Sequence, residues 1–444
     1  MSSAMDRSPR SFGADTDAGN GTRARVRTRA CARARRIGIF AACVGIGWAV
    51  LGGTIPAAAE SIFAREGIGE WNEGYDLRGY TLGSTGIGTL DPVNFTSINP
   101  AASAFAVGTL GHAGIASRVR WSQDGASTAR RGATLLNNLG CYLELRKNLG
   151  LRVIVEPAAD ATYALEQSLP TGWEDIERDV VREEGARGLT RYLGGISWRG
   201  GRTWALGAQI GVLAGSIVDH TSYVFGDSAL AAGWTGGEDR RQWRFKASTY
   251  VDAGFVARPT SRISVGGFFS TGASPQVTET YRSFADQSFT LQTARAELPM
   301  AFGAGAGMLV TPRWRLSADV IQRQWEDFRF DDRLPAGGSY RNTLRWGAGI
   351  ERVPSFNRGD GLLAAISWRA GFAWIPWYLH DADGDPIDEW RVTAGAGLPI
   401  QQQRGTIDLL VGYGRKGSID QVGIEEEYLT FGLGFTFARV LREY

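Results

Sequence analysis

The stretch Leu429-Thr430-Phe431-Gly432-Leu433-Gly434-Phe435-Thr436-Phe437 alternates large apolar residues with Gly and Thr. In a strand, alternate side chains point to opposite faces. One face is therefore Leu and Phe, and the other is Thr and Gly. In a soluble sandwich the second face meets water and normally carries charge. Small residues suit the enclosed side of a barrel, and bulky apolar ones suit lipid.

The same pattern recurs upstream. Phe302, Ala304, Ala306, Met308 and Val310 oppose Gly303, Gly305 and Gly307. Val392, Ala394, Ala396 and Leu398 oppose Thr393, Gly395 and Gly397. Trp204, Leu206, Ala208, Ile210 and Val212 oppose Gly207, Gln209 and Gly211. Leu316, Ala318 and Val320 oppose Ser317 and Asp319. Alternating segments run over 104–122, 132–145, 149–163, 188–199, 202–216, 241–257, 260–273, 298–311, 313–328, 340–353, 360–376, 388–400, 405–417 and 427–439. They predict an all-β fold, a transmembrane antiparallel β-barrel of about 14 strands, an even number as bacterial barrels require. The connections are expected to alternate between short turns, such as Gly200-Gly201, and long loops, such as 164–187 and 218–240. Trp198, Trp204 and Trp314 beside short turns, and Trp374 and Trp377 toward a long loop, fit interfacial girdles. Inward faces are expected to hold Gly and few charges.

The leader supports export. Nine Arg and three acids lie in residues 1–59, with Arg23 to Arg36 densest. An apolar run from Ile37 to about Ile55 follows, ending in Pro56-Ala57-Ala58-Ala59. This reads as a signal peptide over 1–59, cleaved after Ala59. Without it the chain has 39 basic and 43 acidic residues, so its basic pI is a property of the leader and does not point to nucleic acid. After Glu60 no run of about 18 apolar residues occurs, which excludes a helical membrane protein. The 60 Gly are spread through apolar runs and do not read as disorder. Only Cys141 remains after the leader, so no internal disulfide forms.

Residues 60–102 differ, reading Leu77-Arg78-Gly79-Tyr80-Thr81-Leu82-Gly83-Ser84-Thr85-Gly86-Ile87-Gly88, then Asp91-Pro92, then Asn99-Pro100-Ala101. A Gly-rich start and an Asn-Pro-Ala box directly before the first strand resemble the N-terminal hatch of FadL-type outer-membrane transporters of long-chain fatty acids and aromatic hydrocarbons. The resemblance covers most of residues 77–440. It implies a hatch at 60–102 plugging a barrel at 103–444, and a hydrophobic ligand that leaves sideways where the third strand kinks. Pro157 lies in that strand and cannot donate to the ladder. A lateral opening is therefore expected near Glu156 and Pro157. A complete hydrogen-bond ladder through strands two, three and four would refute it. Asn99, Pro100 and Ala101 are the candidate hatch residues, with anchoring to the wall and ligand contact both open.

Other chemistry finds little support. His112, His220 and His380 are far apart, and no Gly-x-Ser-x-Gly or His-Glu-x-x-His occurs. No catalysis, cofactor or metal is expected. Asp381, Asp383, Asp385, Asp388 and Glu389 cluster, but Pro386 stands where a calcium loop needs Gly. Residues 173–184 have the pattern of a short amphipathic helix in a loop. The expected location is the bacterial outer membrane. The expected partners are outer-membrane lipids and lipopolysaccharide, a hydrophobic small molecule, and the barrel-assembly machinery during insertion. The leading function is passive uptake of hydrophobic compounds. The alternatives are a structural or secretion-associated barrel of the same fold, and a diffusion porin.

Overall fold

The computed structural model describes residues 61–168, 180–224, 237–283, 288–330, 333–335, 337–355, 361–400 and 405–439. The expected signal peptide at 1–59 lies outside them.

Fourteen antiparallel strands close into one barrel. They are β1 (Thr109–Gln123), β2 (Thr128–Arg146), β3 (Leu149–Asp160, resuming at Tyr163–Ser168), β4 (Val180–Arg199), β5 (Trp204–Val224), β6 (Gly237–Ala257) and β7 (Ile263–Ser270, resuming at Gln276–Arg282). Then follow β8 (Ser288–Arg295, resuming at Ala301–Thr311), β9 (Trp314–Arg323), β10 (Thr343–Arg352), β11 (Ser367–His380), β12 (Pro386–Ile400), β13 (Gly405–Ser418) and β14 (Ile424–Arg439). Closure is made by β14 on β1, in register from Glu425↔Gln123 to Arg439↔Thr109. Closure removes the free edges that a bilayer does not tolerate. No helix among the described residues is long and apolar enough to cross a membrane. A closed barrel of this kind spans the bacterial outer membrane.

The alternation reading holds side chain by side chain. Phe435 is 48% exposed and Ile210 58%, as lipid-facing residues must be. Thr430 opposite them is fully buried. Trp198, Trp204 and Trp314 face outward at the short-turn end, and Trp198 meets Trp204 edge-on at 5.0 Å. Trp377 does not join a girdle. The register shifts between Pro376 and His380, and Trp377 turns inward onto Lys416.

Loop lengths differ from the expected strict alternation. Outer connections are as short as 124–127 and 381–385, whereas 353–366 at the other end is longer. The strands continue past the apolar band as polar hairpins, which hydrophobic alternation cannot detect. Residues 180–184 are accordingly strand and not helix, because Val180–Glu184 pair with both Ala164–Ser168 and His220–Val224. Residues 173–179 of that expected helix lie outside the described set.

The interior is filled by residues 61–106. They form short 3-10 turns at Ile62–Arg65 and Ala102–Phe105, one helical turn at Leu77–Thr81, and a two-residue inner strand, Glu70–Trp71. Inward glycines of the wall line no open bore, because hatch backbone lies on them. A Cβ at Gly347 would sit 1.9 Å from Gly83 O, and one at Gly371 would sit 2.0 Å from Gly83 N. A Cβ at Gly207 would meet Pro100 and Ala101, and one at Gly266 would meet Ile87 O at 2.4 Å. Glycine is required here for close backbone approach.

Inward charges are many, contrary to expectation. Arg120, Arg152 and Lys416 are almost fully buried, joined by Glu351, Arg369 and Asp408. Hatch and wall both supply partners: Arg78 of the hatch pairs bidentately with Glu351, at 3.1 and 2.6 Å, while Arg369 of the wall reaches both Glu351 and Asp408. Asp319 accepts from Gly86 and Ile87 N–H, at 2.6 and 2.8 Å. Most of these charges are paired, whereas Arg152 is held by the carbonyls of Thr96 and Ser97 with Ser103 and Gln209, and Asp319 by backbone N–H groups.

Candidate functional site: a lateral gap behind the hatch

The ladder between β2 and β3 stops at Leu139↔Val155. Beyond that point β3 still pairs with β4, with a register shift between Pro157 and Ala159. Thr128–Asn138 of β2 pair only with β1 among the described residues. The two strands have parted, and the missing Pro157 N–H lies where they part.

The freed edge of β3 is taken from inside. Glu70 pairs with Asp160, Trp71 pairs with Ala159, and Asn72 N–H donates to Ala158 O at 2.9 Å. The inner strand thus substitutes for β2. Gly69 precedes it at φ +84°, and a Cβ there would lie 2.1 Å from Asp160 O. Trp71 is held between Arg191 and Arg323, whose guanidinium carbons stand 5.4 and 4.9 Å from its ring, and edge-on to Trp325.

Glu70 fixes this strand electrostatically. It meets Arg120 at 2.6 Å, Arg118 at 3.2 Å and Lys416 at 3.2 Å, and Arg120 also binds Glu426 at 2.8 Å. Burial alone raises a carboxyl pKa, but Arg120, Lys416 and Arg118 overcome it and hold Glu70 well below the usual carboxylate range. Arg323 does the same for Glu73 against a similar burial effect.

A cavity of about 160 Å³ lies at the gap. Leu135, Leu136, Pro157 and Ala159 of the parted strands line it, with Trp71, Tyr75, Ile375, Pro376 and Trp377. Arg118, Arg345 and Arg391 also line it, together with the carboxylates of Glu70, Glu73, Asp160 and Glu389. Arg391 donates to Tyr80 and Ser84, at 2.6 and 2.7 Å, while Arg345 lies over the Tyr75 ring at 4.8 Å. The lining is mixed, with apolar residues of the parted strands and of β11 beside three Arg and these four carboxylates.

The expected site residues divide between places. Pro157 lines the gap cavity. Glu156 points into the barrel, ion-paired with Arg191 at 3.0 Å, and lines a separate cavity of about 40 Å³ with Ser97 and Asp252. Asn99, Pro100 and Ala101 line neither cavity. Asn99 Nδ2 donates to Ile87 O at 2.7 Å and to Phe255 O at 3.1 Å, and its Oδ1 accepts from Ala101 N–H at 3.0 Å. The box therefore ties the hatch to β6. Glu70, Arg118, Arg120 and Lys416 were not foreseen. A usable signal existed: Arg118 and Arg120 share the inward parity of β1, and a membrane strand with two such charges needs a partner.

Asp381 Oδ1 accepts from Asp383 and Asp385 N–H, at 3.0 and 2.7 Å, so the acidic loop closes on itself. Among the described residues no cluster of His, Cys, Asp or Glu is placed to hold a metal.

Solved barrels share this fold. A FadL homologue of Pseudomonas aeruginosa superposes with a TM-score of 0.57 at 16% identity, over 83% of this chain and 99% of that one. The Pseudomonas putida toluene transporter TodX gives 0.53 at 14% identity, over 84% and 100%. The monoaromatic hydrocarbon channel CymD gives 0.53 at 12%, over 84% and 100%. No curated protein matches the chain by sequence. The model of one family, BamG, matches residues 53–440. With a match spanning nearly the whole barrel and its hatch, the chain belongs to the BamG family.

Proposed function

We propose that this barrel is a passive outer-membrane channel for hydrophobic small molecules, such as long-chain fatty acids or aromatic hydrocarbons, which leave the lumen sideways between β2 and β3. The observation that carries the reading is the ladder's stop at Leu139↔Val155 with a cavity behind it that Leu135, Leu136 and Pro157 help to line. At about 160 Å³ the cavity is a closed state, so passage needs the Glu70–Trp71 strand to part from Ala159 and Asp160. The strand acts as a gate bolted by the Glu70 cluster. Fold similarity to hydrocarbon channels fits this reading without choosing the ligand.

Membership of the BamG family favours a second reading, a barrel that serves the assembly of other outer-membrane proteins. A hatch locked by paired charges suits a scaffold as well as a gate. Uptake of labelled oleate and toluene, by cells with and without the gene, separates the two. Gene-dependent uptake supports the channel. Unchanged uptake with a fall in other outer-membrane proteins refutes it in favour of the second reading. Outer-membrane lipids, lipopolysaccharide and, during insertion, the barrel-assembly machinery are the partners either reading requires.

A further inference from the structure

The two ends of the barrel differ in charge. Arg146 ends β2 and Lys147 follows it in the β2–β3 turn, Arg202 lies in β4–β5, Arg258 and Arg262 in β6–β7, and Arg313 in β8–β9. These four turns contain no acid, although residues 60–444 carry more acids than bases. The opposite end is acidic at Asp124, Glu326, Asp327 and Asp381–Asp385. Arg146, Arg202 and Arg262 are exposed and have no carboxylate partner among the described residues.

We propose that this basic collar binds the headgroups of anionic phospholipids in the inner leaflet. Depth argues for lipid. Trp198 and Trp204 flank the β4–β5 turn, Trp314 follows Arg313, and Arg352 stands in register with Trp368. Trp marks the membrane interface. A cation directly beyond it sits at the level of the phosphates. Distribution argues the same way. The four basic turns follow one another from β2 to β9, an arc of more than half the strands, which is a broad contact for a surrounding leaflet.

One place is built as a pocket. A cavity of about 320 Å³ gathers Arg199, Arg258, Arg262 and Arg315 beside Leu90 and Phe105. Asp91 at its edge is already bound by Arg78, at 2.8 Å. Arg199 lies 5.8 Å over the Phe105 ring. Arg315 is taken by Glu351 at 3.2 Å, and hatch residues place the cavity at the barrel mouth, so Arg199, Arg258 and Arg262 are the guanidinium groups left at the rim for a phosphate.

The test uses the purified barrel in phosphatidylcholine vesicles, with brominated phosphatidylglycerol or brominated phosphatidylcholine titrated in. Quenching of the interfacial Trp residues reads relative lipid association. The expected result is a preference for phosphatidylglycerol of roughly tenfold, reflecting a few cations near an anionic surface. It should shrink at high salt as the charges are screened. R146E/R202E/R262E should abolish it, and the Lys triple should retain it. Heat-modifiable mobility in gels checks that each variant is folded. Equal association in the wild type overturns the proposal, as does a preference that survives the Glu triple. Capture of an acidic periplasmic protein, lost in the Glu triple and without lipid preference, overturns it in favour of a protein partner.

Discussion

Replacing Asn99 tests how the hatch is held. The side chain is fully buried and makes three hydrogen bonds, to Ile87 O, Phe255 O and Ala101 N–H. Asn99→Ala leaves three backbone groups without this partner. A stranded buried group costs about 1–3 kcal/mol, and partial satisfaction by water puts the total near the low end, about 3 kcal/mol. At about 1.4 kcal/mol per decade, local opening of the hatch rises roughly a hundredfold. Asn99→Asp should be worse at neutral pH, because the carboxylate keeps Ala101 N–H but points its second oxygen at two carbonyls. That ordering reverses a size-based expectation, since Asp is the closer mimic in shape. The protonated acid can donate to one carbonyl, so the Asp defect should shrink as pH falls. Hydrogen exchange of a peptide spanning 96–105, in nanodiscs, reads all three effects. Unchanged exchange in Asn99→Ala, or a milder defect for Asp than for Ala at neutral pH, would refute the anchoring argument.

The remaining predictions concern the same interior. Glu70 has a depressed pKa, so its stabilisation of the gate is full above the ordinary carboxyl value of 4.5 and disappears as pH falls through the folded value; exchange at Trp71 and Asn72 should rise in acid, and Glu70→Gln should remove that dependence. Glu351→Gln removes the carboxylate shared by Arg78, Arg315 and Arg369, leaving Arg78 to Asp91 and Arg369 to Asp408, and should cost about 3 kcal/mol in urea unfolding; a loss below about 1 kcal/mol would show the cluster to be hydrated. Gly347→Val places side-chain atoms where Gly83 O stands and should expel the Leu82–Gly83 segment, read as new protease cleavage there. Gly194→Ala, with nothing within 4 Å of its Cβ, is the neutral control.

Much of the barrel was legible because lipid imposes a strict rule on outward residues. The Leu and Phe of β14 and the Trp beside the short turns follow it. Strand ends were not legible, because hairpins beyond the apolar band, such as Glu166 against Arg182, obey no hydrophobic period. The interior was misread for a related reason. An inward Gly looks the same whether it lines water or receives backbone, and only the position of Gly83 or Pro100 decides between them.

The lateral gap shows where local chemistry ends and tertiary structure begins. Pro157 announces a break in pairing, because it lacks a donor. Nothing near Pro157 announces what covers the break. The cover is Glu70–Trp71, some ninety residues upstream in a segment without regular structure, and it is set by Gly69 and by charges on β1, β13 and β14. Those charges belong to strands that meet only when the barrel closes, so the gate's bolt is a product of closure. A barrel that failed to zip β14 onto β1 would bring Arg120 and Lys416 to no common partner, and its hatch would have nothing to hold it over the gap. Completion of the wall and seating of the inner strand are in this way one event, and parting Glu70–Trp71 from Ala159 and Asp160 in the finished barrel means separating Glu70 from its three cations.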